Sequence, residues 1–275
     1  MLLTIDVGNT QTVFGLYRND STGSGDSTTP DAGAGAGLIE HWRLSTDAER
    51  TADEHGVLVR SFLGMVGCDM ERDLSGIAIC SGVPRVLANL RQMVQRYAPF
   101  EPVVIEPGVK TGMPILYDNP KEVGADRIAN AVAAFDLLGG PTIVVDFGTG
   151  TNFDVISAKG EFLGGAIAPG IEISMDALFG RAAALRAVEL VEPRNVIGKN
   201  TVESLQSGLL YGFTALVDGM VTRFLTELGT AHVVATGGLA SLIAPVSSTI
   251  QTSEPFLTLH GLRLVYEKNM RDPKR

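Results

Sequence analysis

The chain has 275 residues, 45% of them hydrophobic, enough to bury one large core or two smaller ones. Its 22 Lys and Arg are outnumbered by 31 Asp and Glu, giving a formal net charge of -9. A phosphate backbone is repelled by such a surface, so nucleic acid is not an expected partner.

The first 17 residues contain LLTIDVGNTQTVFGLY, two β-forming runs joined by the turn Gly8-Asn9-Thr10. Asp6 ends the first run, where a carboxylate must be paired, solvated or bound to a cation. It also interrupts the only apolar stretch near the N-terminus, no basic n-region precedes it, and no later uncharged run is long enough to span a bilayer. The expectation is a soluble, cytoplasmic protein with no membrane association. Residues 19–37, NDSTGSGDSTTPDAGAGAG, contain nothing large enough to anchor a core and read as a flexible surface loop before a strand at Leu38–Leu44.

An amphipathic helix is expected over Asp53–Val66, a buried strand over Ser75–Cys80 and a second helix over Pro84–Tyr97. This alternation implies α/β layers. Cys68 and Cys80 lack CxxC spacing and the four histidines are scattered, so neither a disulfide framework nor a zinc site is indicated, and both thiols read as buried or inert. Within NPKEVGADRIANAVAAFD, residues 119–136, Ile128, Ala131, Val132 and Phe135 recur at helical spacing, so a helix starts near Ala125 or Asp126. Asp126 is either a first-turn carboxylate that stabilises the helix or a general base that accepts a hydroxyl proton. Arg127 is either an ordinary surface arginine or a bidentate contact for an anionic group.

The run Pro141–Val145 leads into Asp146-Phe147-Gly148-Thr149-Gly150-Thr151, and at an offset of 140 Asp6 falls on Asp146 and Gly8 on Gly148. The chain therefore reads as two related halves, divided at 118/119, each delivering an aspartate to a Gly/Thr-rich turn. A third such turn, Thr236-Gly237-Gly238, follows Val233–Ala235. Turns of this kind suit a nucleoside triphosphate, with amides and hydroxyls donating to phosphate oxygens and the carboxylate holding Mg²⁺ directly or through water. The alternative is that each aspartate bonds only its own turn. Asp146-Phe147-Gly148 spells a protein-kinase triplet without the other kinase motifs, and Gly198-Lys199-Asn200-Thr201 lacks the first glycine of a Walker A loop. The helical pattern over Thr201–Leu228 fits a dimer surface and an internal core helix equally well.

DVGNT at 6–10, NPKEVGADR at 119–127, DFGTGTNFD at 146–154, GGAIAPG at 164–170 and GKNT at 198–201 together resemble the type III pantothenate kinases, in order along nearly the whole chain. The resemblance implies the fold of the acetate and sugar kinase, heat-shock chaperone and actin superfamily, an α/β architecture of two ribonuclease H-like domains in tandem around a central cleft. It implies transfer of the ATP γ-phosphoryl group to the primary hydroxyl of pantothenate, with Mg²⁺ and a monovalent cation, potassium or ammonium, as cofactors. ATP binding would then fall to Asp6, Val7, Gly8, Asn9, Thr10, Gln11, Thr12, Val13 and Thr149. Pantothenate binding would fall to Tyr117, Gly124, Ala125, Asp126, Arg127 and Thr201. Asp126 would be the proton acceptor, Asp146 a ligand of the monovalent cation, and Thr201 a contact supplied by the partner subunit of a homodimer with a shared active site. Two other functions remain in view: a kinase of the same superfamily acting on another small substrate, and a regulator that keeps the fold without catalysis.

Overall fold

The structure, a computed structural model, describes residues 1–18, 33–182 and 186–271. Two five-stranded sheets organise them. The first begins with β1 (Leu2–Val7) and β2 (Gln11–Tyr17), an antiparallel pair to which β3 (Leu38–Ser45) adds antiparallel at the edge. On the other side of β1, β4 (Gly76–Ser81) and β5 (Val103–Val104) run parallel, giving the order β3-β2-β1-β4-β5. The second sheet is built from β6 (Thr142–Phe147), β7 (Gly150–Ile156), β8 (Phe162–Pro169), β9 (His232–Gly237) and β10 (Thr252–Ser253). Its order β10-β9-β6-β7-β8 is the same arrangement read from the opposite edge.

The repeat extends to single residues. Asp6 pairs with Val13 and Asp146 with Asn152, and both hairpins shift register at corresponding places, Leu16/Tyr17 and Val155/Ile156. Both central strands are buried throughout except at one half-exposed position, Asp6 in β1 and Asp146 in β6. A strand buried on both faces must be a nearly continuous apolar run, which explains why each aspartate stands out in the sequence. The copies differ at the turn, where Gly8-Asn9-Thr10 joins the first pair and Gly148-Thr149 the second.

Around the first sheet, α1 (Ala52–Met65) starts at a capping box in which Thr51 and Glu54 satisfy each other's backbone N–H groups, and α2 (Pro84–Tyr97) starts with proline in its first turn. Their apolar faces pack on Leu3, Ile5, Val7, Ile77 and Ile79. The other face of β1 and β4, with Leu2, Ala78 and Cys80, is covered from α3 (Ala125–Leu138) by Ala129 and from the last helix by Leu259, Leu262 and Val265. In the second sheet Ile143, Val145, Val233 and Ala235 pack with Leu210, Val217 and Val221 of α5 (Thr201–Leu228) and Ile243 of α6 (Ala240–Ile243), while α4 (Ile171–Arg181) contributes Ile171.

The last helix, α7 (Leu257–Arg271), returns to the first sheet, where Tyr266 Oη donates to the carbonyl of Ser75 at 2.9 Å. Compactness accordingly separates a first unit of Met1–Met113, Asp118–Ala133 and Phe256–Arg275 from a second of Pro114–Tyr117 and Ala134–Pro255. Compactness thus groups residues 119–133 and α7 with the first sheet, whereas the linear division at 118/119 puts both in the second half; α3 and α7 cover the sheet of the first half although they follow that point in the chain.

The loop expected over 19–37 lies outside the described residues as far as 32. The remainder corrects the expectation that this segment lacks anchors. Ala34 is fully buried, and the carbonyl of Ala36 accepts from Arg263 Nη1 at 2.6 Å. Backbone bonds from Arg18 to Gly37 and from Leu38 to Gly35 tie the segment to the strand ends. A small side chain can be an anchor when the pocket is small, which bulk alone does not reveal. Among the described residues no helix is long and apolar enough to cross a membrane.

Candidate functional site

In the first unit, the turn after β1 is closed by a bond from Gly8 N to Gln11 O at 3.0 Å and braced by Thr46, just past β3. Thr46 Oγ1 donates to Gly8 O at 2.7 Å, its N–H donates to Thr10 O at 2.9 Å, and its hydroxyl pairs with Thr12 Oγ1 at 2.9 Å. These bonds fix the turn from below. Asn9, Thr10 and Gln11 stay exposed, whereas Val7 and Thr12 are buried side chains that can offer a ligand only backbone. Thr46 carries no local signal in the sequence that would single it out.

Asp6 emerges at the end of β1 beside Cys80, its register partner on β4, with Cys80 Sγ 3.1 Å from Asp6 Oδ1. Burial pushes the Asp6 carboxyl up to about 7, and the negative charge of Asp126 pushes the same way against the Cys80 hydrogen bond and the attraction of Arg43. The Cys80 thiol is driven well above its ordinary range by burial and by the charges of Asp6 and Asp126, so it is a donor and not a nucleophile. A carboxylate held this way, with one weak sulfur donor as its sole hydrogen bond among the described residues, has the chemistry of a group completed by a cation.

Asp126 lies in the first turn of α3, as the sequence leads one to expect, and half-exposed. Its Oδ1 accepts from the Arg127 N–H at 2.9 Å and folds back over Gly124, where a β-carbon would come within 2.5 Å of it. The second oxygen, Oδ2, accepts no hydrogen bond among the described residues. The two sequence readings of this residue are thus compatible, with one oxygen serving the helix and the other available. Arg127 is buried at 6% exposure rather than lying on the surface, because α3 turns it under Gly124.

In the second unit, Asp146 ends β6 between Asn152 on β7 and Thr236 on β9. Its turn is closed by Gly148 N donating to Gly150 O at 3.0 Å, the counterpart of the Gly8 bond. Gly237, at φ +91, brings the third glycine turn against this site: a β-carbon there would stand 2.7 Å from Asp146 Oδ1. Only glycine allows both that conformation and that approach. Thr149 is exposed at the tip of its turn. Tyr117, half-buried, packs on Phe162 with ring centroids 6.3 Å apart and lies over Gly164.

Thr201 opens α5, exposed, one residue after Asn200, whose side chain caps the helix by accepting from Glu203 N. Glu203 also holds Arg194 and the Lys199 N–H, so the GKNT segment is a folded lead-in to a helix and not a phosphate loop. Val196, Ile197 and Val202 around it are 65%, 74% and 49% exposed, an apolar surface beside Thr201. Among the described residues no group of three or more His, Cys, Asp or Glu is arranged to hold a metal ion. The turns therefore bring together Asp6, residues 7–13 and Gly124–Arg127 in the first unit, and Asp146, Thr149 and the Thr236–Gly238 turn in the second.

Comparison with known proteins adds the family. The type III pantothenate kinase family model matches residues 2–223. The type III pantothenate kinase of Streptomyces avermitilis is 56% identical over 278 aligned positions, covering 98% of this chain and 99% of that one. Among solved structures, a conserved Campylobacter jejuni protein assigned to the Baf family of transcriptional activators superposes with a TM-score of 0.58 at 18% identity, covering 98% of this chain and 99% of that chain. The ADPNP-bound activator of the 2-hydroxyisocaproyl-CoA dehydratase from Clostridium difficile gives 0.52 at 11% identity, with 100% and 98% covered. At such identities the two structures speak for the fold alone, two ribonuclease H-like domains. The match of sequence along the full length speaks for more: the chain belongs to the type III pantothenate kinase family.

Proposed function

We propose that the protein transfers the γ-phosphoryl group of ATP to the primary hydroxyl of pantothenate, giving 4′-phosphopantothenate in the first step of coenzyme A synthesis. The observation that carries this reading is the Asp126 carboxylate, one oxygen of which is spent on its helix while the other is left without a donor. Oδ2, without a donor, is suited to take the hydroxyl proton as the new P–O bond forms. The buried Arg127 guanidinium supports recognition of an anionic acid such as pantothenate, together with Gly124, Ala125 and the Tyr117 ring.

Phosphoryl transfer asks mainly for alignment and charge neutralisation. The exposed residues Asn9, Thr10, Gln11 and Thr149, with the backbone of Asp6–Val13, would donate to phosphate oxygens. The Asp6 carboxylate would hold Mg²⁺, directly or through water, and Asp146 a potassium or ammonium ion, each offsetting negative charge on the phosphates. The apolar surface of Val196, Ile197 and Val202 supports a homodimer in which Thr201 reaches the partner's pantothenate. A cytoplasmic location accords with a substrate and a nucleotide both found there.

The test is ATP consumption with pantothenate, acetate or simple sugars as acceptor. Turnover with pantothenate alone supports the proposal; equal or better turnover with another acceptor assigns the chain a different substrate.

A further inference from the structure

We propose that Cys80 is a positioning residue for nucleotide binding, its S–H holding the Asp6 carboxylate in the orientation the phosphate side of the site requires. The inference rests on the reading of Asp6 as a cofactor-side carboxylate. Its basis is geometric. Cys80 is fully buried, it is the register partner of Asp6 on the parallel neighbour β4, and its sulfur stands 3.1 Å from Asp6 Oδ1. A carboxylate only accepts, so the thiol donates. No other hydrogen bond to the Asp6 side chain exists among the described residues, which leaves its setting to this one contact and to packing.

The internal repeat supplies a second, independent observation. In the other sheet, the position opposite Asp146 on the parallel neighbour β9 is Thr236, also buried, at 2% exposure. Both halves therefore place a small side chain that carries a donor beside the strand-end aspartate, although the two sites share no other side chain at the turn apart from glycine and threonine. Packing alone does not ask for this. Cys80 belongs to a buried cluster with Ala78, Val103, Ile105 and Ala129, an apolar set in which valine or alanine would be the ordinary occupant. A sulfhydryl is the least polar group that can still donate, so it meets both demands.

The experiment compares Cys80→Ser, Cys80→Val and Cys80→Ala with the wild type. Binding of Mg·ADP to each purified protein is measured by calorimetry, alongside the KM for ATP and for pantothenate and the thermal midpoint without ligand. Serine keeps a donor and loses apolar volume; valine keeps apolar volume and loses the donor. The proposal predicts that Mg·ADP binding and the KM for ATP weaken about tenfold in the valine and alanine variants, stay within twofold in the serine variant, and that the KM for pantothenate is unchanged in all three. Valine binding Mg·ADP as well as wild type, or serine and valine weakening alike, overturns it. Should alanine fail to fold, the serine and valine pair still decides. Because Mg·ADP binding needs no acceptor, the result stands apart from whether pantothenate is the substrate.

Discussion

A β-carbon on Gly261 of α7 would collide with the carbonyl oxygen of Ala129 on α3. The two helices thus cross at backbone contact over the face of β1 and β4, and Ala129 lies one turn beyond Asp126. The placement of Asp126 depends on a helix from the far end of the chain.

Gly261→Ala tests that dependence. On helix propensity alone the change would stabilise α7 by up to about 1 kcal/mol. The collision reverses the sign, and we expect a net loss on the order of 1–3 kcal/mol in urea unfolding together with reduced kcat. A variant more stable than wild type would show that α7 does not constrain α3.

Much of this architecture is legible in the sequence. The offset of 140 that aligns Asp6 with Asp146 marks two copies of one sheet, since a buried central strand leaves its one carboxylate conspicuous. The bounds of α2 at Pro84–Tyr97 and of α5 at Thr201–Leu228 coincide with those read from periodicity, because a first-turn proline and an asparagine cap announce them. β8 is harder to see. Gly164, Gly165 and Ala166 have little strand propensity; a β-carbon on Gly165 would collide with the Phe153 carbonyl of β7, and Gly164 stands at φ +118. Cys80 reads as an inert thiol, since its partner Asp6 is 74 residues away and meets it only through parallel register. Ala34 has no bulk to advertise its burial, and nothing in the periodicity of Leu257–Arg271 tells which sheet it covers.

Asp218 offers a pH signature in the second unit. Burial raises its pKa, but hydrogen bonds from the Ser247 hydroxyl, the Ser248 N–H and hydroxyl and the Thr249 hydroxyl outweigh it and bring the group down to about 2. A depressed folded pKa means stability that is complete above the ordinary carboxylate range and lost as pH falls from about 4 to 2. Discounted for its exposure, this is about 1 kcal/mol. Asp218→Asn should show that deficit at pH 7 and none near pH 2 in urea midpoints; a deficit of equal size at both would assign the effect to packing.

Under the proposed role of Asp146, in which a weakly hydrated cation would offset repulsion between that carboxylate and the phosphates, activity should require potassium or ammonium. Initial rates in matched potassium, ammonium and sodium buffers check this. Equal turnover in sodium alone contradicts the cation role of Asp146.

A shared site makes defects in different subunits complementary. Asp126→Asn and Thr201→Val homodimers should each be nearly inactive. After subunit exchange about half the dimers are mixed, and each mixed dimer has one site with both residues intact, so about a quarter of wild-type activity should return. With exchange confirmed by native mass spectrometry, absence of recovery would mean that Thr201 serves its own chain.

The central claim is that this chain makes 4′-phosphopantothenate through a proton taken by Asp126. Its most direct test is the product of purified protein with ATP, Mg²⁺, potassium and pantothenate, identified by mass and by phosphorus NMR coupling to the methylene of the primary alcohol. We predict one phosphoryl group on that oxygen, matched one to one by ADP, with turnover reduced on the order of 10²-fold in Asp126→Asn while pantothenate still binds. ADP released without phosphorylated pantothenate, or an Asp126→Asn variant as fast as wild type, would contradict it.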